Sequence, residues 1–132
     1  MPPVIMSDQA SVFSESNSFT RPLFEQLKRH PKRIVFPEGE DPRILRVAAR
    51  MVELEIGVPI LLGNRERIFA MAVALKVSMQ FVRVIDPVRS SDFELFCNRL
   101  DRIERYRGLT GVDVEAVIAK PHYFAAMMVQ YG

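Results

Sequence analysis

Cysteine occurs once, at Cys97, and tryptophan not at all. One thiol permits neither an intramolecular disulfide nor a multi-cysteine metal site, so a reducing, cytoplasmic setting is the expectation. Histidine is nearly as scarce. His30 and His122 each sit beside a proline, without a cysteine or carboxylate at ligand spacing, and no metal is expected. Charge of one sign is not in excess either: 18 basic and 16 acidic residues leave a formal +2 and a pI of about 8.9. That balance argues against a nucleic-acid partner. Apolar runs are all short, because Arg, Lys, Asp or Glu interrupts each one well before the ~20 residues that a membrane span needs. Among the six glycines neither G-x-x-x-x-G-K-[ST] nor G-x-G-x-x-G occurs, which leaves a phosphate-loop or dinucleotide fingerprint unsupported.

What is present is the composition of one globular unit, with 48% hydrophobic and 26% charged residues in 132 and a mean hydropathy of +0.05. The length fits a complete domain or a piece of something longer. The two ends differ. Residues 1–18, MPPVIMSDQASVFSESNS, hold five serines and two acidic residues without any Lys or Arg, and show no helical or strand period. They read as a disordered leader, with a remnant of cloning or a partner-binding arm as alternatives, and lack the basic start of a signal peptide. Pro121 to Tyr131 is the most apolar helix-length stretch, and Gly132 follows it. The expectation is a helix whose packing partner, the next element, is missing from these 132 residues.

Between the ends the pattern alternates. Thr20 opens a helix through Arg29; Lys32 to Phe36 reads as a buried strand between two prolines. Asp41 and Pro42 make a strong helix start, with an apolar stripe to about Glu55 and Gly57 as the stop. Val58 to Leu62 is a second strand, Asn64 to Leu75 a third helix, and Phe81 to Ile85 a third strand. A fourth helix from Ser91 to Arg107 turns Phe93, Phe96, Cys97, Leu100 and Ile103 inward. Thr110 and Asp113 form a capping-box-like start for Val112 to Ala119, and Pro121 opens the last helix. Strands alternating with such helices predict an α/β fold, a three-layer parallel sheet covered on both faces by helices.

Three features could carry chemistry. The loop Pro37-Glu38-Gly39-Glu40-Asp41-Pro42-Arg43 follows the first strand, where α/β folds place ligands. Its carboxylates could serve a site, or could simply cap and complement the next helix. Arg99, Arg102 and Arg105, followed by Arg107, could meet cofactor phosphates or form a solvated face with Asp101 paired to Arg105. Cys97 lies on the apolar stripe and reads as packing before nucleophile.

Five segments in register resemble the N-terminal part of the phosphate acetyl/butyryl transferase (phosphotransacetylase) family. They are Arg33-Ile34-Val35-Phe36-Pro37-Glu38-Gly39-Glu40-Asp41-Pro42-Arg43 with Ala48-Ala49; Pro59-Ile60-Leu61-Leu62-Gly63-Asn64; Ile85-Asp86-Pro87; Arg107-Gly108-Leu109-Thr110; and Phe124-Ala125-Ala126-Met127-Met128-Val129 with Gly132. The resemblance implies an isocitrate/isopropylmalate dehydrogenase-like fold of two domains, of which residues 19–132 would be an N-terminal portion. It implies a homodimer that transfers an acyl group between coenzyme A and inorganic phosphate, with acyl-CoA and acyl phosphate as substrates and no permanently bound cofactor. The family's Ser, Asp and Arg at the reacting centre match nothing here, so no catalytic residue is carried over and the chain by itself is expected to be inactive. Glu38, Asp41 and Arg43 are the expected substrate contacts; Arg102, Arg105 and Arg107 are the expected coenzyme A contacts. One departure stands out. Glu104 occupies the place of an arginine associated with coenzyme A in many family members, and related domains fused to bacterial malic enzymes also tend to lack it. The alternative is therefore a non-catalytic acetyl-CoA-sensing or dimerisation domain.

Overall fold

The computed structural model describes residues 20–108 and 111–131. Helix α1 covers Thr20–Arg29, β1 Lys32–Phe36, α2 Pro42–Glu53, β2 Gly57–Leu62, α3 Arg65–Leu75, β3 Arg83–Ile85, α4 Phe93–Tyr106, α5 Val114–Ile118 and α6 Pro121–Tyr131. A 3-10 turn at Pro87–Arg89 separates β3 from α4. The expected leader at 1–18, and Leu109, Thr110 and Gly132, lie outside the described residues.

The helices begin where side chains can satisfy free backbone N–H groups. Asp41 caps α2 by accepting from Arg43 N at 2.8 Å, with Pro42 in the first turn. Asn64 caps α3 by accepting from Arg67 N at 3.0 Å. Asp113 caps α5, accepting from Ala116 N at 3.1 Å, so that helix starts at Val114, later than the predicted Val112. The end of α2 also differs from expectation. Glu55 takes the left-handed turn, with φ 57°, and Gly57 is instead the first residue of β2, opposite Lys32. Its missing side chain leaves room there, since a Cβ would stand 3.0 Å from Met51 Sδ and 3.1 Å from the Lys32 carbonyl.

The three strands lie in the order β1-β2-β3, every neighbouring pair parallel. Strand β3 is shorter than predicted because Phe81 has φ 65° and is 73% exposed, so the chain is still turning there and extends only from Arg83. Central β2 is apolar along its length because both its faces are covered. Leu61 points one way, into Leu45 and Ala48 of α2, Ile68 and Ala72 of α3, and Val84. Ile60 and Leu62 point the other way, into Phe96 and Cys97 of α4, Ile118 of α5, and Phe124, Ala125 and Met127 of α6. Both crossover helices thus sit on one face of a sheet whose order advances in one direction, as crossovers of a single hand require. The order of elements and the three layers agree with the sequence expectation.

Two expectations about burial change. Ile103 is 39% exposed, because the last turns of α4 extend past the core cluster. Helix α6 has a packing partner inside the chain: Phe124 is 1% exposed and stacks edge-on against Phe96, while Tyr123 and Val129 remain on the outer side. Apolar residues on both sides of that helix made its inward face unreadable from sequence.

Candidate functional site

Strands β1 and β2 end side by side, and the chain leaving each one turns across the carboxyl end of the sheet. Gly39 N donates to the Leu62 carbonyl at 3.0 Å, which pins the loop after β1 against the last residue of β2. An open groove of about 580 Å³ lies there, lined by Pro37, Glu38, Glu40, Asp41, Leu62, Pro121 and His122. The start of α6 forms its far wall. Leu62 is fully buried and supplies an apolar floor beneath three carboxylates.

Each carboxylate has a partner. Asp41 Oδ2 lies 2.9 Å from Arg43 Nη2, and the same side chain caps α2. Glu40 Oε2 accepts from Asn64 N at 3.1 Å and its Oε1 stands 3.4 Å from Arg67 Nη1. Glu38 Oε1 is 3.7 Å from His122 Nε2, across the groove. The hydrogen bond from Arg43 holds the Asp41 carboxyl below the usual aspartate range, and Asp41 in turn raises Arg43. A folded-state pKa that is lowered stabilises the fold above the ordinary aspartate range, and that contribution is lost as pH falls through the lowered value. Asp41→Ala is therefore expected to lower Tm by a few degrees at neutral pH, with the gap to the wild type closing in acid; calorimetry across pH checks it. A gap of constant size would contradict the ionised cap.

Of the expected substrate contacts, Glu38 and Asp41 line the groove and Arg43 does not; its guanidinium folds back on Asp41. The carboxylates of Asp41 and Glu40, which bond to the starts of α2 and α3, are also part of the groove wall. Arg102, Arg105 and Arg107 are exposed at the end of α4, and none of them lines the groove. Arg105 pairs with Asp101 at 2.9 Å; Arg99 lies over the Tyr131 ring at 4.0 Å. His122 lines the groove, a placement that its local sequence does not reveal. Its carboxylate neighbour is distant in the chain, and only the start of a helix at Pro121 hints that it faces an edge. Glu40 and Arg67 meet in the same non-local way.

No group of three His, Cys, Asp or Glu side chains among the described residues is arranged to hold a metal ion. No helix among them is long and apolar enough to cross a membrane. Cys97 is buried, and that burial pushes its thiol pKa up. A buried thiol with a raised pKa should resist thiol–disulfide exchange. Ellman's reagent at mildly alkaline pH is expected to react with Cys97 only once denaturant is added; stoichiometric labelling of the native chain would show the thiol to be open.

A parallel sheet with helices on both faces and a groove outside the carboxyl ends of its strands defines an α/β domain of the kind in which ligands commonly sit at that edge. Its lineage is more specific. Residues 18–132 match the family described as phosphate acetyl/butaryl transferase, and the chain belongs to that family. It is 34% identical over 115 residues to the phosphate acetyltransferase of Helicobacter pylori, covering 87% of this chain and 22% of that protein. It is 31% identical over 123 residues to the NADP-dependent malic enzyme of Escherichia coli, covering 89% of this chain and 16% of that one. Among solved structures, a phosphotransacetylase from Streptococcus pyogenes superposes with a TM-score of 0.71 at 28% identity, over 83% of this chain and 34% of that chain. The chain thus spans between a sixth and about a third of the relatives it matches.

Proposed function

We propose that the chain is part of a phosphate acyltransferase that interconverts acetyl-CoA and phosphate with acetyl phosphate and CoA. The observation that supports this most is the family match running from residue 18 to residue 132, with its loop of three carboxylates placed at the mouth of the groove. In this reading the fold is the isocitrate/isopropylmalate dehydrogenase type, the working protein is a cytoplasmic homodimer, and residues 19–132 form one wall of an interdomain cleft. The thiolate of CoA attacks the acyl phosphate carbonyl carbon; a carbon–sulfur bond forms and phosphate leaves with the electrons of the carbon–oxygen bond. Cationic donors would stabilise the developing oxyanion. No residue of this chain is assigned that role.

The charge of the groove favours a division of labour. Its lining has three carboxylates and no Lys or Arg, so it suits the neutral, N–H-bearing arm of CoA, with Glu38 and Asp41 as acceptors, better than a phosphate. Phosphates of CoA need cations, and Arg102, Arg105 and Arg107 are the candidates. The intact protein carrying this chain is expected to form a thioester from CoA and acetyl phosphate, followed by thioester absorbance. The 132-residue chain by itself is expected to form none. An intact protein inert towards acetyl, propionyl and butyryl phosphates would overturn the assignment.

A second reading rests on the malic-enzyme match together with Glu104, half-buried near the end of α4. In that reading the domain binds acetyl-CoA or holds a dimer without turning anything over. Calorimetric binding of acetyl-CoA with no thioester chemistry, tightened in Glu104→Arg, would favour it.

A further inference from the structure

We infer that Glu40 is a positioning residue: a strut that holds the loop after β1 in the shape that lets Glu38 and Asp41 meet the thiol substrate. The inference rests on the acyltransferase reading for its substrate, and on geometry for everything else. Glu40 joins two otherwise separate pieces of the groove. Its backbone belongs to the loop after β1, while its carboxylate reaches the start of α3, accepting from Asn64 N at 3.1 Å and standing 3.4 Å from Arg67 Nη1. Asn64 N lies at a helix start, where a carboxylate is favourably placed.

The strut also needs space. A Cβ on Gly63 would stand 3.0 Å from Glu40 Cγ and 3.1 Å from Glu40 Oε2, so the glycine lets the Glu40 stem lie directly across the end of β2. Gly39, just before Glu40 in the chain, is confined more tightly, since a Cβ there would lie 2.5 Å from the Leu62 carbonyl oxygen, and its amide donates to that carbonyl at 3.0 Å. Glu40 and Gly39 thus fasten the loop at two adjacent points, one by side chain and one by backbone. Glu38 and Asp41 flank those two points. Releasing the strut frees the carboxylates that line the groove without removing either of them, and small displacements of positioning groups have large kinetic effects.

The test uses Glu40→Ala, Glu40→Gln and Gly63→Ala, with two readouts. In this chain, hydrogen exchange at the Gly39 amide is expected to accelerate about tenfold in Glu40→Ala and in Gly63→Ala, and by less than about threefold in Glu40→Gln, whose carbonyl can still accept from Asn64 N. In the intact protein, KM for CoA is expected to rise about tenfold in the first two variants with kcat held within about threefold, while Glu40→Gln stays close to wild type in KM. Glu40→Gln against Glu40→Ala separates positioning from contact; Gly63→Ala crowds an intact Glu40, but it also strains a backbone with φ 153° and presses on Ile68 Cδ1 at 3.2 Å, so it supports the comparison and does not decide it. If Glu40→Gln is as impaired as Glu40→Ala while Gly63→Ala is silent, Glu40 touches substrate directly and the inference fails. It fails equally if exchange accelerates and KM does not move. Should the intact wild type show no turnover, the acyltransferase reading falls by that result, and Gly39 exchange still decides whether Glu40 holds the loop.

Discussion

Replacing Phe124 with alanine is expected to cost about 4 kcal/mol, the usual loss for emptying a buried phenylalanine site. Phe124 is 1% exposed and its ring meets Phe96 edge-on, with centroids 5.0 Å apart and planes at 65°. Part of the cost is the lost transfer of an aromatic side chain, part is the cavity left between α4, α6 and β2, and about 1 kcal/mol is the aromatic pair itself. Total stability of a domain is only about 5–15 kcal/mol, so the variant should sit at the edge of unfolding. Urea denaturation checks it. Val129→Ala on the outer side of the same helix, where the side chain is 77% exposed, should change stability by no more than about 0.5 kcal/mol. If the two variants had equal effects, α6 would not be docked as described.

The second large effect is expected at Gly39, and its cause is crowding instead of a cavity. A Cβ there would lie 2.5 Å from the Leu62 carbonyl oxygen and 3.0 Å from both Leu62 N and Leu61 Cβ. Two of those three atoms are backbone in a central strand and cannot step aside. Gly39→Ala is expected to destabilise the chain by about 2–3 kcal/mol, with the loop lifting away and the Gly39–Leu62 hydrogen bond breaking. Urea denaturation gives the energy and amide exchange at Gly39 gives the local opening. A stable variant with a protected amide at position 39 would mean that the loop does not approach β2 so closely.

Both sites show what was readable in the chain and what was not. Helix starts were legible because they are local: Asp41 before Pro42, and Asn64 after a glycine, announce themselves within a few residues. The strand Val58 to Leu62 was legible because an unbroken apolar run fits a strand covered on both faces. Local patterns failed where two conformations compete for one residue type. Gly57 read as a helix stop, yet the left-handed turn falls on Glu55 and the glycine is needed for close packing beside Lys32. Phe81 read as strand from its apolar character, but its backbone has φ 65°.

The site was half legible for the same reason. The acidic loop after β1 stood out in the sequence, and its position at the carboxyl end of a strand followed from the alternating pattern. Its partners did not. Glu38 with His122, and Glu40 with Arg67 and Asn64, are contacts that only the parallel sheet and the docking of α6 create. Arg43 is the local counterpart: its guanidinium meets Asp41, only two residues away, and stays largely exposed beside the groove.

The acyltransferase reading makes one demand that a binding domain cannot meet: the intact protein must exchange phosphate through the thioester. Labelled inorganic phosphate, unlabelled acetyl phosphate and a catalytic amount of CoA should yield labelled acetyl phosphate, because reversal of the attack lets free phosphate displace CoA from acetyl-CoA. Incorporation is predicted, and it should vanish when CoA is left out. No incorporation with CoA present, or incorporation that proceeds equally well without it, would contradict direct acyl transfer between the two substrates.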